Sequence, residues 1–332
     1  MIKKVAKKAG VSAAIVSRAL NPETQGAVKP ETVWKIQSIV SEFGYLLHSA
    51  VGSLSRGQFR TIGLPVNLHK DTNSGYVGNI LKGILKGLDE IGYDLKLMPL
   101  KSSYSLSVLF DKQIIDGIIF THDSYLDYLH LKTASKGGKI LPAVVINGFD
   151  LMQGINQLYV NSYNAAGTMA EYVLSKGYKD VFIIGGDLEN ADAELRKQAF
   201  IDMARKKGIR FIKRRYVNGK FSEQGGYEAV KTVFKIEPKF RGVLFCLNDA
   251  MAIGVLRALG ELGLHCPGDI KVTGFDDVSQ AEFTNPALTT IRFPLSDMGY
   301  ESVRVIYRIL KGELKRYLRK EFPHQLIVRS SC

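Results

Sequence analysis

Val5-Ala-Lys-Lys-Ala-Gly-Val-Ser-Ala-Ala-Ile-Val-Ser-Arg-Ala-Leu-Asn21 holds two short helical patterns on either side of one glycine. Ile2, Val5, Ala6 and Ala9 recur at helical spacing and predict a first amphipathic helix. Gly10 stands where such a helix ends in the left-handed region. Val11 can plug a small core, and Ser12 can cap the next helix by accepting an N–H bond. In that second helix Val16, Ala19 and Leu20 face inward, and Ala13, Ala14, Ser17 and Arg18 face outward. Asn21-Pro22 stops it. A third helix starts near Pro30, buries Val33, Ile36, Val40 and Phe43, and ends at Gly44. Two short helices joined by a Gly-containing turn and braced by a third make a helix-turn-helix. Small outward residues let the second helix sit deep in a major groove, where Arg18 suits guanine O6 and N7. The same pattern also describes a helical cap with solvated lysines.

Across the whole chain, the 332 residues are 45% apolar and 23% charged, which is globular composition. The length predicts two or three folded units. No apolar run approaches the roughly 20 residues that span a bilayer. Met1 to Lys8 resembles the charged start of a secretion signal, but Ser12, Ser17 and Arg18 interrupt the apolar stretch from Ala9 to Leu20, and no cleavage site appears. Cys246, Cys266 and Cys332 neither frame a disulfide scaffold nor fit zinc spacing, so a reducing, cytoplasmic compartment is expected.

The net charge of +13 is uneven. Residues 1–60 hold nine Lys or Arg and three Glu, a net +6; residues 61–332 hold 36 and 29, a net +7. A compact basic module in front of a nearly balanced body predicts a polyanion reader attached to something else.

Beyond Arg60 the period changes. Thr61–Val66, Leu95–Leu100, Gly117–Phe120 and Ala143–Ile146 are strand-like, and helical stretches separate them; the first carries Ile80, Ile84, Leu85 and Leu88. Val181–Ile184, Gly242–Phe245 and Ile270–Thr273 repeat the scheme. Such alternation predicts an α/β fold with parallel sheets covered on both faces. Two lobes of this kind leave a cleft at the strand carboxyl ends, a natural small-molecule site.

The opening stretch resembles the signature of the LacI/GalR family of bacterial transcription regulators, V-A-x-x-A-G-V-S-x-x-T-V-S-R-V-L-N. Lys4 stands where that family usually has Asp, and Ile15 where it has Thr. In the body, Asp116-Gly-Ile-Ile-Phe120, Phe221-Ser-Glu-Gln-Gly-Gly-Tyr227, Asn248-Asp249, Val272-Thr-Gly-Phe-Asp-Asp277 and Leu288-Thr-Thr-Ile-Arg-Phe-Pro294 are similar, in order and spacing, to the family's two-lobed periplasmic-binding-protein-like domain. The resemblance implies a DNA-binding domain over 1–47, a hinge over 48–59, and an effector-binding and dimerisation domain over 60–332. Its near lobe would hold 60–158 and 288–319, and its far lobe 159–287 and 320–332.

The resemblance further implies a cytoplasmic, nucleoid-associated bacterial repressor of carbohydrate-utilisation genes, dimeric on a palindromic operator. Lys4, Lys7, Ser12, Ala13, Ala14, Ser17, Arg18 and Asn21 would face DNA. In the hinge a short helix over His48–Leu54 would order on DNA, with Leu54 wedged into the minor groove. Gly52 costs that helix roughly 1 kcal/mol against Ala and weakens it. A sugar-like effector, possessing hydroxyls and a C–H face, wants carboxylates, amides, Arg and an aromatic plate. The matching positions are Tyr76, Asn161, Arg196, Phe221, Asn248 and Asp276. Asn161 and Phe293 depart from the usual Asp and polar residues, so a cleft poorer in charge is expected. Each candidate also has a plainer role: Asn248 as a helix cap, Arg196 as a solvated arginine, Tyr76 and Phe221 as core aromatics.

Asp297-Met-Gly-x-x-x-Val-Arg304 resembles the helix by which catabolite control proteins receive a serine-phosphorylated phosphocarrier protein, with Arg304 suited to a phosphoserine. The alternative in another class is a small-molecule binding protein or sugar-modifying enzyme. Against it, the chain carries no Gly-x-Ser-x-Gly, His-Glu-x-x-His or phosphate-loop word, and no catalytic residue, metal ligand or cofactor is expected.

Overall fold

The computed structural model describes residues 2–20, 24–42, 59–66, 75–99, 115–121, 141–147, 154–314 and 316–332. Three helices come first: α1 (Ile2–Ala9), α2 (Ala13–Ala19) and α3 (Pro30–Glu42). Val5, Ala6, Ala9, Val16, Ala19, Val33, Ile36, Ile39 and Val40 seal one small core among them. Ile39 joins the positions expected from periodicity, and Leu20 is only half-buried. Gly10 takes φ +72, and the turn closes with the Val11 N–H donating to Ala6 O at 3.1 Å.

The body holds two parallel sheets. The larger has six strands: β1 (Thr61–Val66), β2 (Asp94–Pro99), β3 (Gly117–Thr121), β4 (Ala143–Ile146), β5 (Asn156–Val160) and β11 (Arg319–Phe322), in the order β11-β5-β4-β3-β1-β2. The smaller has four: β6 (Val181–Gly185), β7 (Tyr216–Asn218), β8 (Val243–Cys246) and β9 (Lys271–Thr273), in the order β7-β6-β8-β9. Every neighbouring pair in both is parallel. The unbroken apolar runs follow from this, since β3, β4, β6 and β8 are buried on both faces. Between the lobes β10 (Thr290–Arg292) pairs antiparallel with β12 (Gln325–Ile327).

The helices of the body are α4 (Gly75–Ile91), α5 (Ser162–Ser175), α6 (Ala191–Lys206), α7 (Glu223–Ile236), α8 (Asp249–Glu261), α9 (Gln280–Phe283) and α10 (Leu295–Leu310). In the near lobe α4 lies directly on α10. A Cβ at Gly83 would overlap the Ser296 carbonyl, and one at Gly299 would overlap that of Ile80. The two backbones therefore touch, which only glycine permits.

Two expectations are corrected. Leu85 is 50% exposed, because the buried face of α4 carries Val77, Ile80, Ile84 and Leu88 instead. The lobe boundaries also shift. Tyr159 lies in β5, and Lys320, Glu321 and Phe322 pair with Leu158, Tyr159 and Val160, so 319–322 stays in the six-stranded sheet. The chain returns to the far lobe just after β11, where His324 Nε2 lies 2.9 Å from Thr168 Oγ1, and again beyond β12, where the Val272 N–H donates to Ser331 O. Residues 48–58 of the hinge, with Leu54, and residues 100–114 and 122–140 lie outside the described residues.

Candidate functional site

On the helical module, the exposed side chains are those that can reach a partner. Lys4 and Lys7 are exposed on α1, and Ala13, Ala14, Ser17 and Arg18 are exposed on α2. Ser12 serves α2 itself: its Oγ accepts the Ile15 N–H at 3.3 Å. Thr24 and Gln25, unflagged by the sequence, fasten the following loop to the far end of α2. Thr24 Oγ1 donates to Arg18 O at 3.2 Å, and Gln25 Nε2 donates to Ala19 O at 3.1 Å. No periodicity signals such side-chain caps. Asn21 lies outside the described residues.

In the body the carboxyl ends of the two parallel sheets face a cavity of about 470 Å³, lined from both lobes. Tyr76, Asn248 and Asp276 meet there, with Glu223, Gln280 and Phe283. Gly75 opens α4, and a Cβ on it would press on Val278, so the missing side chain lets the near lobe approach the far one. Asn147, absent from the sequence expectations, holds Tyr76: its Nδ2 donates to the Tyr76 hydroxyl at 2.7 Å, while its Oδ1 accepts the Val160 N–H at 3.0 Å. Burial pushes the Tyr76 phenol up, well beyond its usual range, so it stays a neutral hydroxyl. The only sequence signal for Asn147 is the apolar run that ends just before it.

Arg196 is 5% exposed and not a solvated helix arginine. It lies behind Asp276 (Nη1 to Oδ1, 3.9 Å), donates to Leu247 O at 2.6 Å and stacks on Phe275. Phe293 packs edge-on against Phe275 and closes this apolar floor. Asn248 caps α8, accepting the Met251 N–H at 2.9 Å, and its Nδ2 donates to Phe221 O at 3.2 Å. Asn248 thus combines the cap and the cleft position. Phe221, at φ +51, lays its ring on Gly186. Asn161 is not among the cavity's lining residues; its Oδ1 caps α5 through the Asn164 N–H at 3.0 Å. The reduced charge expected from Asn161 is therefore spent at a helix end.

Three neighbouring carboxylates divide the work. Asp276 faces the cleft. Asp277 binds the crossing strands, accepting Arg292 Nε at 2.6 Å and pairing with Arg329 at 2.8 Å. Both sit in the left-handed region, at φ +111 and +54, a strained pair of non-glycine residues. Asp249 is wholly buried between Thr290 Oγ1 (2.6 Å) and the Val278 N–H (2.8 Å). Desolvation, and then the charge of Asp276, hold it well above the usual carboxylate range.

The chain thus carries a helical module with an exposed small-residue helix and a two-lobed body whose cavity is lined by Tyr76, Asn248 and Asp276, with Arg196 behind Asp276. Residues 1–46 match the model described as bacterial regulatory proteins, lacI family, and residues 170–332 match a periplasmic binding protein-like domain. The chain carries a lacI-family helix-turn-helix domain and a periplasmic-binding-protein-like domain. The chain is 28% identical over 336 residues to the HTH-type transcriptional repressor PurR of Histophilus somni, spanning 99% of this chain and 98% of that protein. It is 27% identical over 325 residues to the ribose operon repressor of Escherichia coli, spanning 95% and 94%. Among solved structures, a lac repressor dimer bound to operator and the anti-inducer ONPF shares the fold at TM-score 0.80 and 22% identity, covering 100% and 98% of the two chains. A complex of the transcriptional regulator CelR with cellobiose does so at TM-score 0.74 and 22% identity, covering 100% and 99%. The chain is a transcriptional repressor and not an enzyme. No helix among its described residues is long and apolar enough to cross a membrane.

Proposed function

We propose that the chain binds a palindromic operator as a dimer, with α2 in the major groove, and that a neutral polyol of the sugar class in the cleft sets the affinity. The observation carrying this reading is the division at Asp276-Asp277. One carboxylate faces the cavity, and the next holds strands that cross between lobes. A hydroxyl bound to Asp276 thereby biases the inter-lobe angle, a coupling of about 1–3 kcal/mol. Glu223 and Asp276 are the charged lining residues and both are acidic, which disfavours a phosphosugar. Tyr76 and Asn248 supply neutral hydrogen-bonding groups, and the rings of Tyr76 and Phe283 supply aromatic faces.

The domain division at about 47 and 59, with Leu54 as the minor-groove wedge, belongs to this proposal and follows from the family resemblance. So does the regulation of carbohydrate genes from the bacterial cytoplasm. A second reading, docking of a phosphorylated phosphocarrier protein at Arg304, is favoured by that residue's exposure on α10, with its guanidinium 5.8 Å from the Tyr300 ring. The test is a gel shift on palindromic DNA with a central CG step, titrated with neutral sugars, phosphosugars and phosphorylated phosphocarrier. A retarded band released or tightened by a neutral sugar is expected. Absence of a specific band refutes operator binding, and a response to phosphosugar alone refutes the effector class.

A further inference from the structure

The four strands of the far-lobe sheet are parallel, so their amino ends share one edge, opposite the cleft. The segments that enter them there, 176–180, 202–215, 235–241 and 265–271, hold thirteen Lys or Arg against four Asp or Glu, a net +9. Residues 61–332 carry only +7 in all, so the rest of the body is slightly acidic. The body's balanced composition conceals a surface as basic as the helix-turn-helix module.

The four carboxylates of this edge are already engaged. Asp202 pairs with Arg205 at 3.2 Å, Asp180 and Glu237 with Arg215 at 3.1 and 2.9 Å, and Asp269 with Arg241 at 3.8 Å. The bonds from Arg215 also bring the segments before β6, β7 and β8 together. Lys179, Lys206, Lys207, Arg210, Lys213 and Lys239 are exposed, with no carboxylate partner among the described residues. Helix ends account for Lys206 and Lys207, which favour the negative end of α6. They do not account for Arg210, Lys213 or Lys239, which lie outside the α-helices.

We propose that this edge is a second, sequence-independent docking surface for the phosphate backbone of duplex DNA, distinct from the helix-turn-helix. Strands about 4.8 Å apart make an edge about 14 Å wide, and duplex DNA offers one negative charge per roughly 1.7 Å. The edge therefore meets several phosphates at once. Ile212 is the exposed large apolar residue of these four segments, with no exposed aromatic beside it, too little for insertion into a lipid surface. A molecule with basic surfaces at α2 and at this edge can hold two duplex segments.

The test uses the full chain and a 40-base-pair duplex of random sequence. The parent is compared with a K206Q/K207Q/R210Q/K213Q variant, with a K4Q/K7Q variant, and with a K206R/K207R/K213R variant that keeps the charge. The four-Gln variant is expected to lower the salt slope by about 3–4 and to weaken binding at least tenfold at low salt, while the Arg variant matches the parent. Beads bearing one duplex should capture a second, labelled duplex through the parent and not through the four-Gln variant. An unchanged slope, or equal loss in the Arg variant, overturns the proposal. So does a four-Gln variant that loses only its sedimentation with phosphatidylserine vesicles, because the partner is then a membrane.

Discussion

The guanidinium carbon of Arg196 lies 4.0 Å from the centre of the Phe275 ring and 5.7 Å from that of Phe293. The arginine is thus held flat on an apolar floor, with its charge directed to the neighbouring Asp276. A lysine cannot stack in this way or keep the planar donor to Leu247 O. Arg196→Lys is expected to cost about 1–3 kcal/mol of stability. Arg196→Met, which leaves Asp276 buried without its cation, should cost about 3–5 kcal/mol. Urea unfolding measures both, and equal stability of the lysine variant would show that the stack is incidental.

The contact between α4 and α10 makes two glycines of α4 respond in opposite ways. Gly83→Ala drives a methyl into the Ser296 carbonyl and should destabilise by about 1–3 kcal/mol or more. Gly78→Ala meets open space and should stabilise by about 0.5–1 kcal/mol, through helix propensity alone. Thermal unfolding of the pair decides this; shifts of the same sign would mean that the helices are not in backbone contact.

Asp249 makes stability depend on pH. Its carboxyl is raised in the folded chain, so between the ordinary Asp value of about 3.9 and the raised one the folded state binds more protons than the unfolded state. Stability from this group is therefore present at low pH and lost as pH rises through the folded value. Asp249→Asn cannot ionise and keeps an acceptor for the Val278 N–H, while the Thr290 hydroxyl, which donates to Asp249 Oδ1, turns to accept from the new amide. The variant should gain on the parent in melting temperature from pH 5 to pH 8. A constant gap would mean that Asp249 is charged throughout.

On DNA, Arg18→Ala should cost about 1–3 kcal/mol per half-site and relax preference at one base pair. Lys4→Ala and Lys7→Ala should weaken binding to all sequences and each lower the salt slope by about 1. Affinities for operator and scrambled DNA across salt concentrations separate the two. Equal losses on both DNAs for Arg18→Ala would place the recognition surface elsewhere.

Local pattern is enough to set the elements and their burial. Val16 and Ala19 face in and Arg18 faces out because a helical period leaves no other choice once Gly10 ends the preceding helix. Val243 to Cys246 is a buried strand because a parallel sheet covered on both faces demands an unbroken apolar run. Partnerships across long separations belong to the folded chain. Local pattern cannot tell that Asn147 holds Tyr76, that Asn161 is used up as a cap, or that Asp277 ties Arg292 to Arg329 while Asp276 faces the cleft. Nor does composition reveal that thirteen cations from four separate segments share one sheet edge. Helix and strand periods arise from backbone geometry within a few residues. Side-chain pairing depends on which distant segments the sheet order brings side by side.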